Sequence, residues 1–521
     1  MMKKRFMIAL CCLVLLVQFL PIVPMAETTA AETVDKGIPG YDSELYYCRA
    51  ELAKLPNGKA LVDAYDRIVE GINNTAAEIE INLSVEEFKL VLDATRRDHT
   101  EQFWLDSGYG IISPKGDETV VSAIQPKYTM TGAELTDARL AFEQAVQNFL
   151  GRLTPDMSEY EIEKAIHDMI ATQVVYTTGA TNAHNAYGAL VEGKAVCEGY
   201  AESLQYLLQR AGIQSVEVFG YGITDPETGA GENHAWNIVR IDGEYYLVDL
   251  TWDDQGKNNY LSYAYFNQTS AIFNADHIAW VVGYENGENW DGGLNLPECT
   301  ATAANYYTKN NLRISNYTIE SIGELFKNNK HSVTVFVDAD PAAFLQWYNE
   351  NIQEIARAAG VTGSFLYGHT QNRREVHLTI ETCGHTQVKL VEAKSATCTE
   401  EGNTAYYVCQ NKDCGKWFTD AEAKSEILNK DLVKVLSQGH TWERKEDEAA
   451  LKEGDTYWYT CSTCGTISDT LSFGPEPEEP AAAFDFNAII DFLLANPIIL
   501  GGGGGVIVLA IIIAIISKVR G

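Results

Sequence analysis

The sequence is short of positive charge. Its 521 residues include 39 lysines and arginines against 72 aspartates and glutamates, a formal net charge of -33. A chain this acidic repels phosphate backbones, so nucleic acid is excluded as a partner. The acidity is typical of a solvated surface and identifies no substrate. The length and the hydrophobic content of 46% predict several domains rather than one.

Long apolar runs are confined to the two ends of the chain. Residues 1–26 combine an early basic cluster with an apolar stretch, which predicts a secretory signal peptide. Residues 495–517 carry no charge and precede a basic tail, which predicts a transmembrane anchor with that tail inside the cell. No Leu-Pro-x-Thr-Gly sorting motif precedes this anchor. We therefore expect a single-pass protein of the cell membrane with an extracellular ectodomain.

Composition and periodicity divide the region between the two ends. Two capping-box patterns, Ser84 with Glu87 and Ser158 with Glu161, predict helix starts. The predicted segments are an amino-terminal α/β module at 40–130, a central domain at 131–298, a small α/β module at 301–382, two diverged Cys/His repeats at 383–470 and an acidic, proline-rich stalk at 471–490.

Cys197 lies where a loop meets a predicted helix in the central domain. Tyr200, Leu204 and Leu207 recur near every 3.6 residues, so this helix is expected to bury one face and to hold Cys197 in its first turn. The positive end of a helix favours a thiolate, and its free N–H groups can bind a developing oxyanion. On this segment alone, Cys197 is equally well explained as a small buried hydrophobic residue.

Residues 233–252 predict a β-hairpin around an Asp-Gly turn. Counting back across a two-residue turn pairs His234 with Thr251 and Trp236 with Asp249. His234 and Asp249 are then diagonal neighbours on one sheet face, with backbones about 7 to 8 Å apart. A carboxylate at that position can hold one imidazole nitrogen and leave the other to a thiol. A structural histidine and a capping aspartate are the alternatives for these two residues.

The segments GKAVCEGYA, NHAWNIVRIDGEYYLVDLTWDD and the later YFN and DHIAW resemble the bacterial transglutaminase-like superfamily of papain-like cysteine enzymes. The resemblance implies an α+β fold, with a papain-like core in which a helix bearing the cysteine packs on an antiparallel sheet. It implies Cys197 as the nucleophile, His234 as general base and then acid, and Asp249 as the orienting carboxylate. It implies no cofactor for catalysis.

Three aromatic residues near these motifs are candidates for the substrate cleft. Trp236 and Trp252 are predicted to wall the cleft, whereas Tyr187 either lines it or packs in the core. Two functions remain open at this point. One is a cysteine acyl-transfer enzyme acting on protein or peptide amides, cell-wall peptide included, with hydrolysis preferred to crosslinking because the superfamily includes proteases. The other is a surface-display protein that binds peptide or wall polymer without turnover.

The Cys/His repeats hold most of the remaining cysteines. The first copy contains Cys383, His385, Cys409 and Cys414, a set that resembles a zinc ribbon and predicts a structural zinc site. Disulfides and reduced thiols are the alternatives, since disulfides persist outside the cell. The second copy has Gln438 where the first has its leading cysteine, so one ligand is missing. Both copies resemble repeats in surface proteins of Gram-positive anaerobes.

Overall fold

The computed structural model describes residues 44–254, 261–282, 293–329, 332–411, 414–428, 430–435, 437, 440, 442–445 and 458–466. The predicted signal peptide, stalk and anchor all lie outside these residues. In the described part of the chain, no helix is both long enough and apolar enough to cross a bilayer. The chain divides into two compact units between residues 439 and 440, so the two Cys/His repeats belong to different units.

The helices and strands follow the chain in a mixed order. The helices are α1 Tyr47–Leu52, α2 Gly58–Asn73, α3 Val85–Asp98, α4 Gly132–Leu150, α5 Glu159–Gln173, α6 Ala186–Leu190, α7 Cys197–Arg210, α8 Leu250–Asp253, α9 Ser270–Phe273, α10 Tyr306–Lys309, α11 Ile319–Asn328 and α12 Pro341–Ala358. The strands are β1 Ile79–Ser84, β2 Leu105–Ile112, β3 Val120–Tyr128, β4 Val175–Tyr176, β5 Lys194–Ala195, β6 Ser215–Asp225, β7 Ala230–Ile241, β8 Glu244–Val248, β9 His277–Ala279, β10 Arg313–Ile314, β11 Ser332–Val337, β12 Leu366–Asn372, β13 Glu375–Glu381, β14 Val388–Val391, β15 Gly402–Asn403, β16 Tyr406–Cys409, β17 Trp417–Phe418, β18 Lys434–Val435, β19 Trp442–Lys445 and β20 Trp458–Cys461.

Both predicted capping boxes are confirmed. The Ser84 hydroxyl accepts a hydrogen bond from the Glu87 backbone N–H, and the Glu87 carboxylate accepts one from the Ser84 backbone N–H, at the start of α3. Ser158 and Glu161 make the same pair of bonds at the start of α5. These bonds satisfy N–H groups that the first helical turn cannot satisfy itself, which is why so short a motif predicts where a helix begins.

The central sheet is antiparallel, in the order β8-β7-β6-β9, and α7 packs against β6 and β7. The predicted hairpin register holds from Ile241 opposite Glu244 back to Asn237 opposite Val248. The predicted pairing of His234 with Thr251 is wrong because β8 ends at Val248, where the next residue begins to cap α8. His234 instead lies opposite Gly220 of β6.

Helix α7 is buried around its whole circumference and not on one face as its apolar spacing predicts. The amino-terminal module covers the second face, where the Gln205 side chain donates to the Arg97 carbonyl at 2.5 Å and Gln209 to the Asp98 carbonyl at 3.2 Å. One hydrophobic cluster runs from this module through the central domain. The segments predicted at 40–130 and 131–298 therefore share a single core.

The segment predicted at 301–382 has a hydrophobic core of its own, built around a sheet in the order β10-β11-β13-β12. Strands β11 and β13 and helix α12 give the segment the mixed α/β character that the sequence predicts. The sequence gives little signal for strand β12, because its side chains are mostly exposed and show no clear alternation. The β12–β13 hairpin ends in a two-residue turn at Arg373 and Arg374, which approaches the central domain.

Candidate active site

Cys197 is the first residue of α7 and is half-buried. No side chain caps this helix, because the residue before it is Val196. The turn also packs closely on the preceding loop, since a Cβ at Gly199 would lie 2.6 Å from the Ala183 carbonyl oxygen. The thiol is therefore held at a helix start whose backbone N–H groups can stabilise negative charge.

His234 and Asp249 form a buried pair, and the His234 ring is the member that contacts this thiol. His234 Nε2 donates to Asp249 Oδ2 at 2.7 Å, and both side chains are almost fully buried. Burial works against protonation of the ring, but the Asp249 carboxylate and a hydrogen bond with Cys197 outweigh it and raise the pKa of His234 to about 10. Since Nε2 faces the carboxylate, Nδ1 is the ring nitrogen left for the thiol. The structure thus brings together the three residues that sequence reasoning selected.

Asp249 has further partners that sequence reasoning missed. Its Oδ2 also receives His277 Nε2 at 3.1 Å, and its Oδ1 accepts the Trp252 backbone N–H at 3.1 Å as the N-cap of α8. Burial opposes ionisation of Asp249, but His234 and His277 outweigh it and hold its pKa well below the ordinary range. The signal for His277 was present in the DHIAW segment, but nothing local indicated that its ring would face this carboxylate.

The His234, Asp249 and His277 side chains also offer three ligand atoms close enough for a metal ion. Two ligands of a tetrahedral zinc ion, each about 2.1 Å from it, would lie about 3.4 Å apart. The 2.7 Å separation of His234 Nε2 and Asp249 Oδ2 is much shorter and matches a charge-assisted hydrogen bond. The cluster is therefore best explained as a hydrogen-bonded network.

The three predicted cleft aromatics lie in different environments. Trp252 is partly exposed and its ring stacks on His234, with ring centroids 5.0 Å apart. Trp236 is only 1% exposed and packs beneath the His234 ring, so its prediction as a cleft wall is wrong. Tyr187 packs on Phe103 of the amino-terminal module at 4.8 Å, in agreement with the packing alternative.

Tyr176 is an aromatic residue of the site that sequence reasoning missed. It follows α5 on the short strand β4, which pairs with β5 immediately before Cys197. Partial burial raises the pKa of Tyr176, and the neighbouring Cys197 and Glu232 add to this effect. Its side chain remains 47% exposed. An exposed ring beside the thiol is a surface that a substrate can contact.

The first Cys/His repeat forms a second candidate centre. Its four predicted ligand atoms all lie within 4.8 Å of one another. Cys383 Sγ and Cys409 Sγ are 3.7 Å apart, and Cys414 Sγ and His385 Nδ1 are 3.4 Å apart. A tetrahedral zinc ion would set these separations at about 3.8 and 3.6 Å. A disulfide needs about 2.05 Å between its sulfurs, so the arrangement fits zinc better.

Groups around this centre also suit a metal site. The Glu381 carboxylate lies 2.5 Å from His385 Nε2, and the Asn411 side chain donates to Cys383 Sγ at 3.0 Å. Such contacts orient ligands and select the histidine tautomer. In the second unit, His440 Nδ1 lies 3.3 Å from Cys464 Sγ.

Comparisons with known proteins give a family match within the central domain and relatives that are similar to part of the chain. Residues 147–250 match the Transglutaminase-like superfamily. Kyphoscoliosis peptidase of Mus musculus is 29% identical over 172 residues, covering 29% of this chain and 25% of that protein. The Homo sapiens protein of the same name is 32% identical over 109 residues, covering 19% of this chain and 16% of that protein. A solved structure of a TGase is 14% identical, covers 31% of this chain and 48% of that chain, and has a TM-score of 0.19.

Proposed function

Because the chain contains a transglutaminase-like domain, we propose that it is a cysteine acyl-transfer enzyme whose triad is Cys197, His234 and Asp249. The observation that carries the proposal is the network in which one buried carboxylate holds the imidazole that contacts the thiol. We assign protein or peptide amides as substrates, in line with the peptidase name of the curated relatives. The match spans 25% of the length of the mouse relative and 16% of the length of the human relative. The inference therefore concerns this domain alone.

In the first half of the reaction, the Cys197 thiolate attacks the amide carbonyl carbon and forms a C–S bond. The backbone N–H at the start of α7 stabilises the oxyanion. His234 then donates its proton to the amide nitrogen, the C–N bond breaks and the amine leaves, so that a thioester remains. Asp249 keeps the imidazolium oriented throughout this step.

In the second half, an acceptor resolves the thioester. We propose water as the acceptor: His234 takes a proton from it, the new C–O bond forms, and the thiolate leaves as the carboxylic acid is released. A lysine amine would follow the same path and give a crosslink. Hydrolysis is preferred because the curated relatives carry the name of a peptidase.

The test labels the folded chain with iodoacetamide at neutral pH and locates the adduct by mass spectrometry. We expect Cys197 to react faster than the buried thiols Cys48 and Cys299 and faster than free cysteine. The His234→Ala variant should lose this excess reactivity. His377→Ala is the matched control, because His377 is a half-buried histidine of the small module, bonded to Thr334.

Labelling of Cys197 at the rate of a free thiol, with no dependence on His234, would refute the enzyme and favour a binding protein that displays this fold. If the thiol is reactive, a peptide library with and without a primary amine separates cleavage from crosslinking. Shortened peptides indicate hydrolysis, and amine-tagged peptides indicate transfer.

We also propose that the chain is exported and anchored in the cell membrane through residues 495–517, with the Cys/His repeats as spacers or wall contacts. Only the pattern of the sequence supports this location. Protease treatment of intact cells tests it, since an extracellular domain should be removed while a cytoplasmic marker remains. Survival of the full chain would contradict the proposal.

The first Cys/His repeat is proposed to hold a structural zinc ion through Cys383, His385, Cys409 and Cys414. Zinc would fix the loops that carry these ligands, in a module with little apolar core of its own. Metal analysis of the purified full chain should find about one equivalent of zinc that Cys383→Ser removes, and cobalt should give a tetrahedral thiolate spectrum. A Cys383–Cys409 disulfide found by peptide mapping would refute the site.

A further inference from the structure

We propose that Arg373, which belongs to the 301–382 module, is a positioning residue of the active site. Through Asp276 and Trp252 it would hold His277 and His234 in place, so that the small module completes the site of the central domain. The inference rests on the proposed function, since it concerns the reactivity of Cys197. It gives a role to a module whose sequence reveals no chemistry.

Arg373 contacts two groups of the site directly. Its guanidinium pairs with the Asp276 carboxylate and donates to the Ile223 carbonyl at 3.4 Å. The guanidinium carbon also lies 4.1 Å from the centroid of the Trp252 ring, a cation–π distance. Arginine suits this position because its planar fork can bond a carboxylate and lie over an aromatic ring at the same time.

A chain of hydrogen bonds leads from Arg373 to the triad. Asp276 Oδ2 receives Arg373 and the Tyr265 hydroxyl, while Oδ1 lies 2.6 Å from His277 Nδ1. The other nitrogen of His277 reaches Asp249. An ionised carboxylate only accepts hydrogen bonds, so each ring nitrogen of His277 that carries a hydrogen can donate to the carboxylate beside it. The two carboxylates therefore hold the His277 ring from both sides.

The second connection passes through Trp252. Its ring contacts Arg373 and stacks on His234, with the centroids 5.0 Å apart. The same ring packs on His277 in a tilted geometry, with the centroids 4.4 Å apart. The ring has little room to move, because a Cβ at Gly222 would lie 2.9 Å from Trp252 Cζ2. A group that fixes this ring therefore also limits the orientations open to the His234 imidazole.

The backbone of Arg373 is an independent sign of function. Its φ is 53°, in the left-handed region where glycine or asparagine is usual and a long side chain costs free energy. A turn selected only for stability would carry glycine here. The contacts of the guanidinium account for the arginine, because glycine could make none of them.

The turn makes a sharp test possible, because Arg373→Gly removes the guanidinium while relieving the backbone. We expect the variant to unfold at the same temperature as wild type or higher, yet to label at Cys197 about tenfold more slowly with iodoacetamide. The pH profile of labelling should change as well, since His234 is held less firmly. Guanidinium chloride at millimolar concentration should restore part of the rate, because the side chain is 31% exposed and its site can be reached from solvent.

Two further variants separate positioning from folding. Arg373→Lys keeps the charge but not the fork, so it should label at a rate between those of wild type and Arg373→Gly. Arg374→Ala is the matched control in the same turn, because Arg374 donates to the Val337 carbonyl of its own module. It should lower the unfolding temperature and leave the labelling rate unchanged.

The outcomes distinguish this inference from the proposed function. If wild-type Cys197 labels rapidly in a His234-dependent way and Arg373→Gly labels equally fast, the positioning role is overturned. The positioning role is also overturned if Arg373→Gly labels slowly, guanidinium does not raise its labelling rate, and Arg374→Ala labels equally slowly. If wild-type Cys197 itself reacts like a free thiol, the proposed function fails and this inference fails with it.

Discussion

Asp249→Asn is the substitution that most directly tests how the site works. The carboxylate accepts from two histidines through Oδ2, at 2.7 and 3.1 Å, and from the Trp252 backbone N–H through Oδ1. Asparagine has nearly the same shape but only one acceptor oxygen and no charge. The NH2 group of the new asparagine faces either the two histidines or the Trp252 backbone N–H. An NH2 group cannot accept a hydrogen bond, so at least one contact is lost in each orientation.

The expected magnitude follows from these contacts. A hydrogen bond to a charged group contributes about 1.5 to 3 kcal/mol, and the remaining bonds weaken when the charge is removed. We expect the free energy of unfolding to fall by about 2 to 4 kcal/mol. The pKa of His234 should also fall, because the nearby negative charge is one of the groups that raise it. Loss of the orienting carboxylate should slow the acyl-transfer rate by about 10,000-fold.

Asp253→Asn is the matched control for this experiment. Asp253 lies on the same short helix, is fully buried and bonds His167 Nε2 at 3.3 Å, away from the thiol. It should destabilise the protein and leave Cys197 as reactive as in wild type. The assays are urea unfolding and the rate of iodoacetamide labelling at Cys197. Normal reactivity in Asp249→Asn, or an equal loss in Asp253→Asn, would refute the assigned role of Asp249.

Three further results are expected. The His234 imidazole should stay protonated at neutral pH in NMR spectra, because its pKa is raised to about 10. Its contribution to the free energy of unfolding should be complete below about pH 6.5 and should disappear as the pH rises through about 10. Titration of His234 near the ordinary histidine pKa would contradict this prediction. Tyr176→Ala should raise the KM for peptides while leaving iodoacetamide labelling unchanged, since we expect the exposed ring to contact substrate and not to position the candidate triad. Gly222→Val should slow the labelling of Cys197, because a Cβ at this position would lie 3.3 Å from His234 Cβ and would displace the stacked rings of His234 and Trp252. Gly368→Ala on β12 should leave the labelling rate unchanged.

The parts of the fold that the sequence predicts well depend on short stretches of chain. Capping boxes, the Asp-Gly hairpin and the start of α7 each involve residues only a few positions apart, so their chemistry is visible locally. The hairpin count brought His234 near Asp249 even though the strand ends earlier than expected. Resemblance to a family supplied the roles of the three residues.

The sequence by itself determined the local elements and the identity of the candidate triad, because turn chemistry and helical periodicity act over neighbouring residues. Tertiary structure decided the surroundings of the candidate triad. His277 lies 28 residues from Asp249, and Arg373 lies 97 residues from Asp276. Tertiary packing also buried the polar side of α7 against the amino-terminal module. Such contacts depend on how separate elements pack, and no pattern in one segment of sequence records the partner it will meet.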